Sequence, residues 1–342
     1  MNNLKIDLLQ SPDELAKLGR EWNGLLEQSI TRVPFLRHEY LTTWWGTRGG
    51  GEWPQAELAC LTARRDGQLA GIAPLFFARN REGESALLLL GSIEISDYLD
   101  LIVRPTDLRP VLSGMLDFLA GQERIPWQVL DWHNLPQDSP TLTVLEDLAA
   151  QRGWSCRMER TYHVPSIPLP GDFEAYLAGI DKKQRHEIRR KIHRAEENGQ
   201  VTWYIVQDSA KLDAEVDAFL ALMSEDPKKT AFLTAPMRAQ IVQSCRAAFE
   251  NGWLQLAFLE VGGQKAAAYL NFDYLNRIWV YNSGMDRRFL DLSAGWVLLG
   301  YLLQWANEHG RTEFDFLRGD EEYKYRFGGV DRFVMRARVL RA

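Results

Sequence analysis

Apolar residues recur along this chain with two different periods, which predict a mixture of strands and helices. Leu4–Leu9 is predicted to be a strand, and Ser11-Pro12-Asp13-Glu14 has the sequence of a helix start, with a Ser cap, an early Pro and acids. The apolar residues behind this start follow helical spacing: Leu15, Leu18, Trp22, Leu25 and Leu26. Further on, two predicted strands flank Asp66-Gly67, a strong hairpin signal. The pattern therefore predicts an α/β protein.

The predicted elements repeat in the same order, which indicates an internal duplication. Helices, an antiparallel hairpin, a strand, a helix and a strand occur once in each half. The segments GQLAGIAPLFF, from Gly67, and GQKAAAYLNFD, from Gly263, occupy the same position in this order. Prolines and a glycine between Pro165 and Gly171 mark the connection. We therefore expect two halves, residues 1–165 and 166–342, each a mixed, mostly antiparallel sheet flanked by helices.

Length and composition agree with two domains. A chain of 342 residues exceeds the roughly 250–300 residues at which a single core stops growing. The hydrophobic fraction of 46% and the charged fraction of 25% are typical of a globular protein. The formal net charge of −6 argues against a dedicated DNA- or RNA-binding protein, although a local basic patch is compatible with it.

Several classes of site are not predicted. The odd number of widely spaced cysteines, Cys60, Cys156 and Cys245, indicates neither a disulfide framework nor a zinc site. The histidines do not occur with acids at metal-ligand spacing, and no G-x-S-x-G, P-loop or H-E-x-x-H motif is present. The N-terminus has no signal-peptide pattern, and the apolar runs are too short to span a bilayer. We expect a cytoplasmic protein with no membrane span, no metal and no covalent serine or cysteine intermediate.

The densest group of polar residues follows a short apolar strand near the end of the chain. In TEFDFLRGDEEYKYRFGG, Thr312–Gly329, two phenylalanines alternate with acids before Gly319 ends the pattern. Buried carboxylates and lysines cost several kcal/mol unless they are paired, so such a group indicates either a structural ion network or a functional site.

This stretch also carries a resemblance to a known family. FDFLRGDEEYKYRFGG, together with the preceding YNSGMDRRFLDLSAGWVLLGYLLQWANEHG, resembles the C-terminal signature of the GNAT-superfamily acetyltransferases often labelled as cellulose-biosynthesis or FemAB-like. The resemblance extends over roughly residues 178–342. It implies two tandem GNAT-like halves and an N-acyltransferase whose C-terminal half binds acetyl-CoA or another acyl-CoA. The acceptor would be a small-molecule amine.

The resemblance assigns the coenzyme A site to a strand end and the following helix start. Backbone N–H groups near Tyr281, Ser283 and Gly284 would hold the thioester carbonyl, and Ser293 and Gly295 would lie where the pyrophosphate meets the helix. A single glycine here departs from the glycine-rich loop of the family. A plain helix capped by Ser293, with a packed Gly295, explains the same residues.

Two further segments are candidate substrate sites. The predicted helix Asp181 to Glu197 carries Lys182, Arg185 and Arg189 on one face, where they could bind an anionic acceptor, the phosphates of coenzyme A or a tRNA acceptor stem. The alternative is a solvated helix face. Asp97 and Tyr98 begin the segment Ser96–Val103 and either form a turn or, by the resemblance, face a cleft between the halves.

Acyl transfer to an amine needs a base, oxyanion donors and an acid for the leaving thiol. Asp315 or Asp320 could take the amine proton, Tyr323 could protonate the thiolate, and Lys324 or Arg318 could hold an acid group or the oxyanion. The structural alternative pairs Asp315 with Arg318 and has Lys324 satisfy a neighbouring carboxylate.

The sequence leaves two rival functions open. FemAB-like relatives use aminoacyl-tRNA and commonly carry a long helical hairpin arm, whereas this sequence predicts only the single helix Asp181 to Glu197 at that place. That difference favours coenzyme A over tRNA. The other rival is a catalytically silent scaffold in polysaccharide synthesis. The acceptor, the acyl chain and the oligomeric state are not predicted.

Overall fold

The computed structural model describes residues 4–197 and 201–341. The strands are β1 (Leu4–Leu9), β2 (Glu57–Leu58), β3 (Cys60–Arg65), β4 (Gln68–Ala73), β5 (Leu75–Arg79), β6 (Ser85–Leu89), β7 (Ile102–Val103), β8 (Val129–Pro136), β9 (Ser155–His163), β10 (Ser166–Pro168), β11 (Val201–Ile205), β12 (Leu254–Val261), β13 (Gln264–Tyr274), β14 (Arg277–Met285), β15 (Glu313–Asp315) and β16 (Phe333–Leu340). The α-helices are α1 (Pro12–Ala16), α2 (Gly19–Leu26), α3 (His38–Thr47), α4 (Leu108–Gly121), α5 (Pro140–Gln151), α6 (Phe173–Gly179), α7 (Lys182–Glu197), α8 (Leu212–Met223), α9 (Pro227–Phe232), α10 (Ala235–Glu250), α11 (Ala294–Glu308) and α12 (Glu322–Arg326). Pro34–Leu36 and Arg287–Leu292 are 3₁₀ helices.

Local sequence signals account for the first elements. Ser11 and Glu14 form a reciprocal capping box at the start of α1, with each side chain accepting from the other residue's backbone N–H. The β3–β4 hairpin turns at Asp66 and Gly67, which both have positive φ, as a tight two-residue turn requires. These predictions from the sequence are confirmed. The predicted strand from Gln68 is interrupted at Pro74.

The chain forms two compact units. One contains the residues up to Tyr162 and those from Phe333 onward, and the other spans His163–Arg332. The sequence placed all of 166–342 in the second half, whereas β16 pairs with β8 and joins 333–342 to the first unit. A single alternating strand fits any sheet with an open edge, so its sequence does not specify its partner.

The first unit contains two sheets, with strand orders β1-β3-β4-β7 and β2-β5-β6-β8-β16-β9. The strands β6 and β8 are parallel neighbours, paired only at Ala86–Leu87 and Val129–Leu130. Beyond this pairing, Asn134 of β8 donates hydrogen bonds to the carbonyls of Ile93 and Ser96 and accepts one from the Leu99 N–H. The chain segment that follows β6 therefore lies along β8.

The second unit contains one sheet, ordered β10-β15-β14-β13-β12-β11, in which only the β14–β15 pair is parallel. Its inner core is built on α11, whose leucines and alanines are buried against the sheet and against α6 and α7. Gly300 allows α7 to approach closely, since a Cβ there would lie 2.9 Å from Ile192 Cδ1. Both units follow the order of helices, hairpin, helix and parallel strand, which confirms the predicted α/β class with mixed sheets flanked by helices.

Candidate functional site

Strands β14 and β15 diverge where the polar stretch begins. They pair in parallel only from Arg277 and Glu313 to Trp279 and Asp315, while β14 continues to Met285. In this continuation Leu270 of β13 pairs with Asn282, and Asn271 pairs with Val280, so Tyr281 is an extra, bulged residue. The edge of β14 beyond Trp279 therefore forms no ladder with β15.

Two cavities adjoin this end of β14, on opposite faces. A Cβ on Gly284 would lie 2.5 Å from the backbone N of Met223 in α8, whereas a Cβ on Gly295 in α11 would lie 2.2 Å from Met285 Sδ. The neighbouring residues 284 and 285 therefore face different helices. We call the two spaces the α11 cavity and the α8 cavity.

The α11 cavity has a volume of about 310 Å³ and is largely apolar. Its wall consists of Lys191, Tyr269, Ser283, Met285, Asp286, Phe289, Leu290, Ser293, Ala294, Gly295, Trp296, Leu299, Tyr323 and Phe327. The structure thus brings together four of the predicted site residues, namely Ser283, Ser293, Gly295 and Tyr323.

Two tyrosines of this wall stay protonated at neutral pH. Burial raises the pKa of Tyr323, and the nearby Glu321 carboxylate adds to the increase. Burial also raises the pKa of Tyr269 well above its usual value, with a smaller contribution from Tyr323. Both phenols are therefore hydrogen-bond donors in the wall of the α11 cavity.

The start of α11 differs from the expected cap. Ser293 occupies the N-cap position, but its backbone is left-handed, with φ of 53°, and its side chain makes no capping hydrogen bond. The predicted hydrogen-bonded Ser293 cap is therefore wrong, because Ser293 also ends the preceding 3₁₀ helix and lacks the extended backbone from which a cap side chain reaches the helix N–H groups. Gly295 is buried and gives space to Met285.

The polar stretch after β15 separates into a buried and an exposed part. Asp315 is buried, and its Oδ1 accepts a hydrogen bond from the Leu317 N–H at 2.7 Å. Asp320 is exposed and Arg318 half-buried. Lys324 is 2% exposed and donates to the carbonyls of Leu317, Arg318 and Gly319 at 3.3, 2.7 and 3.1 Å.

Lys324 also pairs with the Glu321 carboxylate at 2.9 Å. Its ammonium group therefore holds the 317–319 loop closed. The catalytic roles given to Asp315, Asp320, Lys324 and Arg318 stay predictions.

The basic helix α7 presents a different residue to the cavity from those predicted. Arg189 pairs with Glu174, Arg185 makes long hydrogen bonds to the Leu177 and Ala178 carbonyls at 3.4 Å, and Lys182 is exposed. Lys191 lines the α11 cavity, with its Nζ 4.0 Å from the centre of the Trp296 ring. Its position between the buried Ile188 and Ala195 could have indicated this placement.

Asp97 and Tyr98 are buried in the first unit, at 8% and 6% exposure, within a segment whose strand covers only Ile102–Val103. The adjacent Asp100 is fully buried and accepts hydrogen bonds from the hydroxyls of Thr31, Ser139 and Thr141 at 2.5–2.6 Å. The substrate role predicted for Asp97 and Tyr98 stays a prediction.

The α8 cavity has a volume of about 320 Å³. Its wall consists of Leu222, Met223, Glu225, Asp226, Pro227, Lys229, Gly284, Met285, Arg287 and Leu290. Lys229 Nζ donates to Asn282 Oδ1 at 3.0 Å and to the Ser283 carbonyl at 2.5 Å. Burial lowers the pKa of Lys229, although Asp226 and Glu321 oppose the change.

Tyr269, Lys191 and Lys229 were not singled out from the sequence. Asp226-Pro227 is a helix-start signal and could have placed Lys229 on a short helix, but nothing local indicates that this helix lies against β14. In the part of the chain that the structure describes, no group of three His, Cys, Asp or Glu side chains could hold a metal. Within the same ranges, no helix combines the length and apolarity needed to cross a membrane.

Comparison with known families identifies the segment that contains this site. Residues 182–325 match a family model described as "Acetyltransferase (GNAT) domain". This segment includes β14, β15, α11 and Tyr323. It supports the GNAT superfamily in general, not the cellulose-biosynthesis group in particular. No curated protein matches the chain.

Solved structures share the fold at low sequence identity. A structure of FemX is 11% identical, with a TM-score of 0.67, and the match covers 93% of this chain and 95% of that chain. L-PGS from Bacillus licheniformis is 14% identical, with a TM-score of 0.59 and coverage of 97% and 92%. The C-terminal DUF2156 domain of a putative lysylphosphatidylglycerol synthetase from Agrobacterium fabrum is 10% identical, with a TM-score of 0.57 and coverage of 97% and 93%.

Proposed function

We propose that the second unit transfers an acyl group from acyl-CoA, with acetyl-CoA the first choice, to an amine that attacks the thioester directly. The observation that carries the proposal is the divergence of β14 and β15 beside the α11 cavity, within the segment that matches a GNAT acetyltransferase domain. An extended thioester chain can hydrogen-bond the open edge of β14 as an added strand would.

The residues around the cavity supply the other requirements of the reaction. Backbone N–H groups at the bulge near Tyr281 polarise the thioester carbonyl. As the amine nitrogen bonds to the carbonyl carbon and the C–S bond breaks, the Tyr323 phenol, kept protonated by burial, donates its proton to the leaving thiolate and is reprotonated by the proton that the amine loses. Residues Ser293–Gly295 at the start of α11, together with Lys191, hold the negatively charged pyrophosphate.

Isothermal titration of acetyl-CoA and longer acyl-CoAs into the purified protein tests the donor. We expect micromolar binding that Lys191→Glu weakens at least about tenfold, because a charged contact with phosphate is worth roughly 1.5–3 kcal/mol. Lys183→Glu is the matched control, since Lys183 is an exposed lysine of the same helix. Gly295→Glu is a poorer choice, because the new side chain would displace Met285.

Aminoacyl-tRNA is the second candidate donor. The fold shared with FemX over 93% of the chain supports it, and so does the excess of Lys and Arg over Glu in α7. Against it, α7 ends at Glu197 and β11 begins at Val201, which leaves no space for a long helical hairpin arm. If no acyl-CoA binds and a charged tRNA does, the donor is aminoacyl-tRNA.

A catalytically silent scaffold is the third possibility. It predicts no release of free coenzyme A thiol when acetyl-CoA is mixed with a panel of amino acids, amino sugars, peptides and polyamines. Acceptor-dependent thiol release would exclude it.

A further inference from the structure

We propose that the α8 cavity binds the acyl acceptor, and that Lys229 selects an acceptor with a carboxylate beside its amine, such as an amino acid or short peptide. This inference rests on the proposed acyl transfer, because it assigns the second substrate of the same site.

The two cavities meet at Ser283. This residue lines the α11 cavity, while its carbonyl accepts the hydrogen bond from Lys229 in the wall of the α8 cavity. Met285 and Leu290 belong to both walls and are 44% and 57% exposed, so the cavities adjoin at the end of β14. A donor in one cavity and an acceptor in the other can meet at this point.

The hydrogen bonds of the Lys229 ammonium also favour a ligand carboxylate. A lysine ammonium has three N–H donors, and Asn282 and the Ser283 carbonyl accept two of them. In the part of the chain that the structure describes, this ammonium makes no hydrogen bond besides these two, and the Asp226 and Glu321 carboxylates act on it only through their charge. The two β14 acceptors fix the ammonium on the cavity wall, and its remaining donor can bind a ligand carboxylate.

The charges on the wall of the α8 cavity favour the same class of ligand. The wall of the α8 cavity carries charges of both signs: the exposed carboxylates of Glu225 and Asp226 and the cations of Lys229 and Arg287. The rest of the wall is mostly apolar. An amino acid carries one charge of each sign and fits this arrangement. A polyamine would place a second cation against Lys229, which like-charge repulsion disfavours.

The experiment is a titration of L-amino acids, dipeptides, putrescine and spermidine into the full chain, with and without saturating coenzyme A. We expect an amino acid or dipeptide to bind, and Lys229→Met to weaken this binding about 10- to 100-fold. Lys229→Arg keeps the charge and should retain part of the affinity. Lys228→Met removes the neighbouring exposed lysine and should leave the affinity unchanged.

The opposite results are equally definite. The proposal is overturned if no compound with both groups binds, or if polyamines bind and Lys229→Met leaves or strengthens their affinity. Coenzyme A affinity should be the same in Lys229→Met as in the wild type. Failure of the acceptor assignment leaves that affinity intact, whereas failure of the proposed function appears as no coenzyme A binding in the wild type.

Discussion

Lys324 shows how one buried charge can organise a loop. Its ammonium satisfies three consecutive carbonyls, of Leu317, Arg318 and Gly319, and pairs with Glu321. Lys324→Met would leave these carbonyls without their donor, so we expect a loss of about 2–3 kcal/mol in the free energy of unfolding, measured by urea denaturation. Arg326→Met is the control: it breaks an exposed pair with Glu322 and should change stability by less than about 0.5 kcal/mol. Equal losses in both variants would contradict the structural role.

The same residues show what could be predicted at this scale. The stretch Thr312–Gly329 was recognisable as a special site because its charges follow a strand directly. The individual roles of the residues in this stretch were not predictable. The carbonyls that accept hydrogen bonds from Lys324 come together in a loop where Leu317 has a positive φ of 56°. A leucine in that conformation has no local sequence signal. Tyr323 lies in the cavity wall because α12, which contains it, begins directly after this loop.

At the scale of elements, Gly284 allows α8 to lie directly on β14. A Cβ there would come within 2.5 Å of the Met223 nitrogen and 2.7 Å of the Leu222 carbonyl carbon, both of them backbone atoms that cannot rotate away. We expect Gly284→Ala to lower the free energy of unfolding by about 1–3 kcal/mol or more, through overpacking. Chemical denaturation against Gly179→Ala, where the added Cβ meets nothing within 4 Å, provides the comparison. An unchanged stability would mean that α8 can move away at little cost.

Elements with strong local signals were predictable, whereas several short elements without such signals were not. The helix α7 begins and ends within one residue of its expected limits, Asp181 to Glu197, and the hairpin β3–β4 turns at Asp66-Gly67 as expected. The short α9, α12, β10 and β11 were missed, because three to six residues give too few repeats to establish a period. This loss concerned function directly, since Lys229, which was not singled out from the sequence, lies on α9.

At the scale of the whole molecule, a buried ion pair joins β16 to β8 in the first unit. Asp131 is fully buried and accepts hydrogen bonds from Arg336 Nε at 2.7 Å and Nη2 at 2.8 Å. Burial alone would raise the pKa of Asp131, but Arg336 and His133 hold it well below its usual range. Because the folded-state pKa is depressed, this stabilisation is present above about pH 4 and is lost as the pH falls through the folded pKa.

We therefore expect Arg336→Met to cost about 3–5 kcal/mol at neutral pH, since it removes the guanidinium partner of a buried carboxylate. The difference from the wild type should narrow as the pH is lowered from about 6 to about 3, because Asp131 in the variant is neutralised early. Urea unfolding at several pH values measures this, with Arg338→Met, whose partner Glu84 is more accessible, as control. A difference that does not depend on pH would exclude Asp131 as the cause.

The duplicated order of elements was predictable from turns and periodicity, but the use of each unit was not. In the first unit, residues 93–99 lie along β8 beyond its pairing with β6, while the corresponding edge of β14 in the second unit adjoins two cavities. Residue patterns predict single elements. Whether the space beside β8 or β14 is filled by a chain segment or left as a cavity depends on where a distant loop packs.

The pairing of β16 with β8 has a consequence for biosynthesis. The ribosome makes β8 early, but it makes the strand that completes this sheet only after all of the second unit has been translated. During that interval Asp131 lacks Arg336, and one edge of β8 lacks its neighbour. The second unit can therefore fold before β16 has been added to the first unit. The unit whose translation begins first is thus the unit whose fold is completed last.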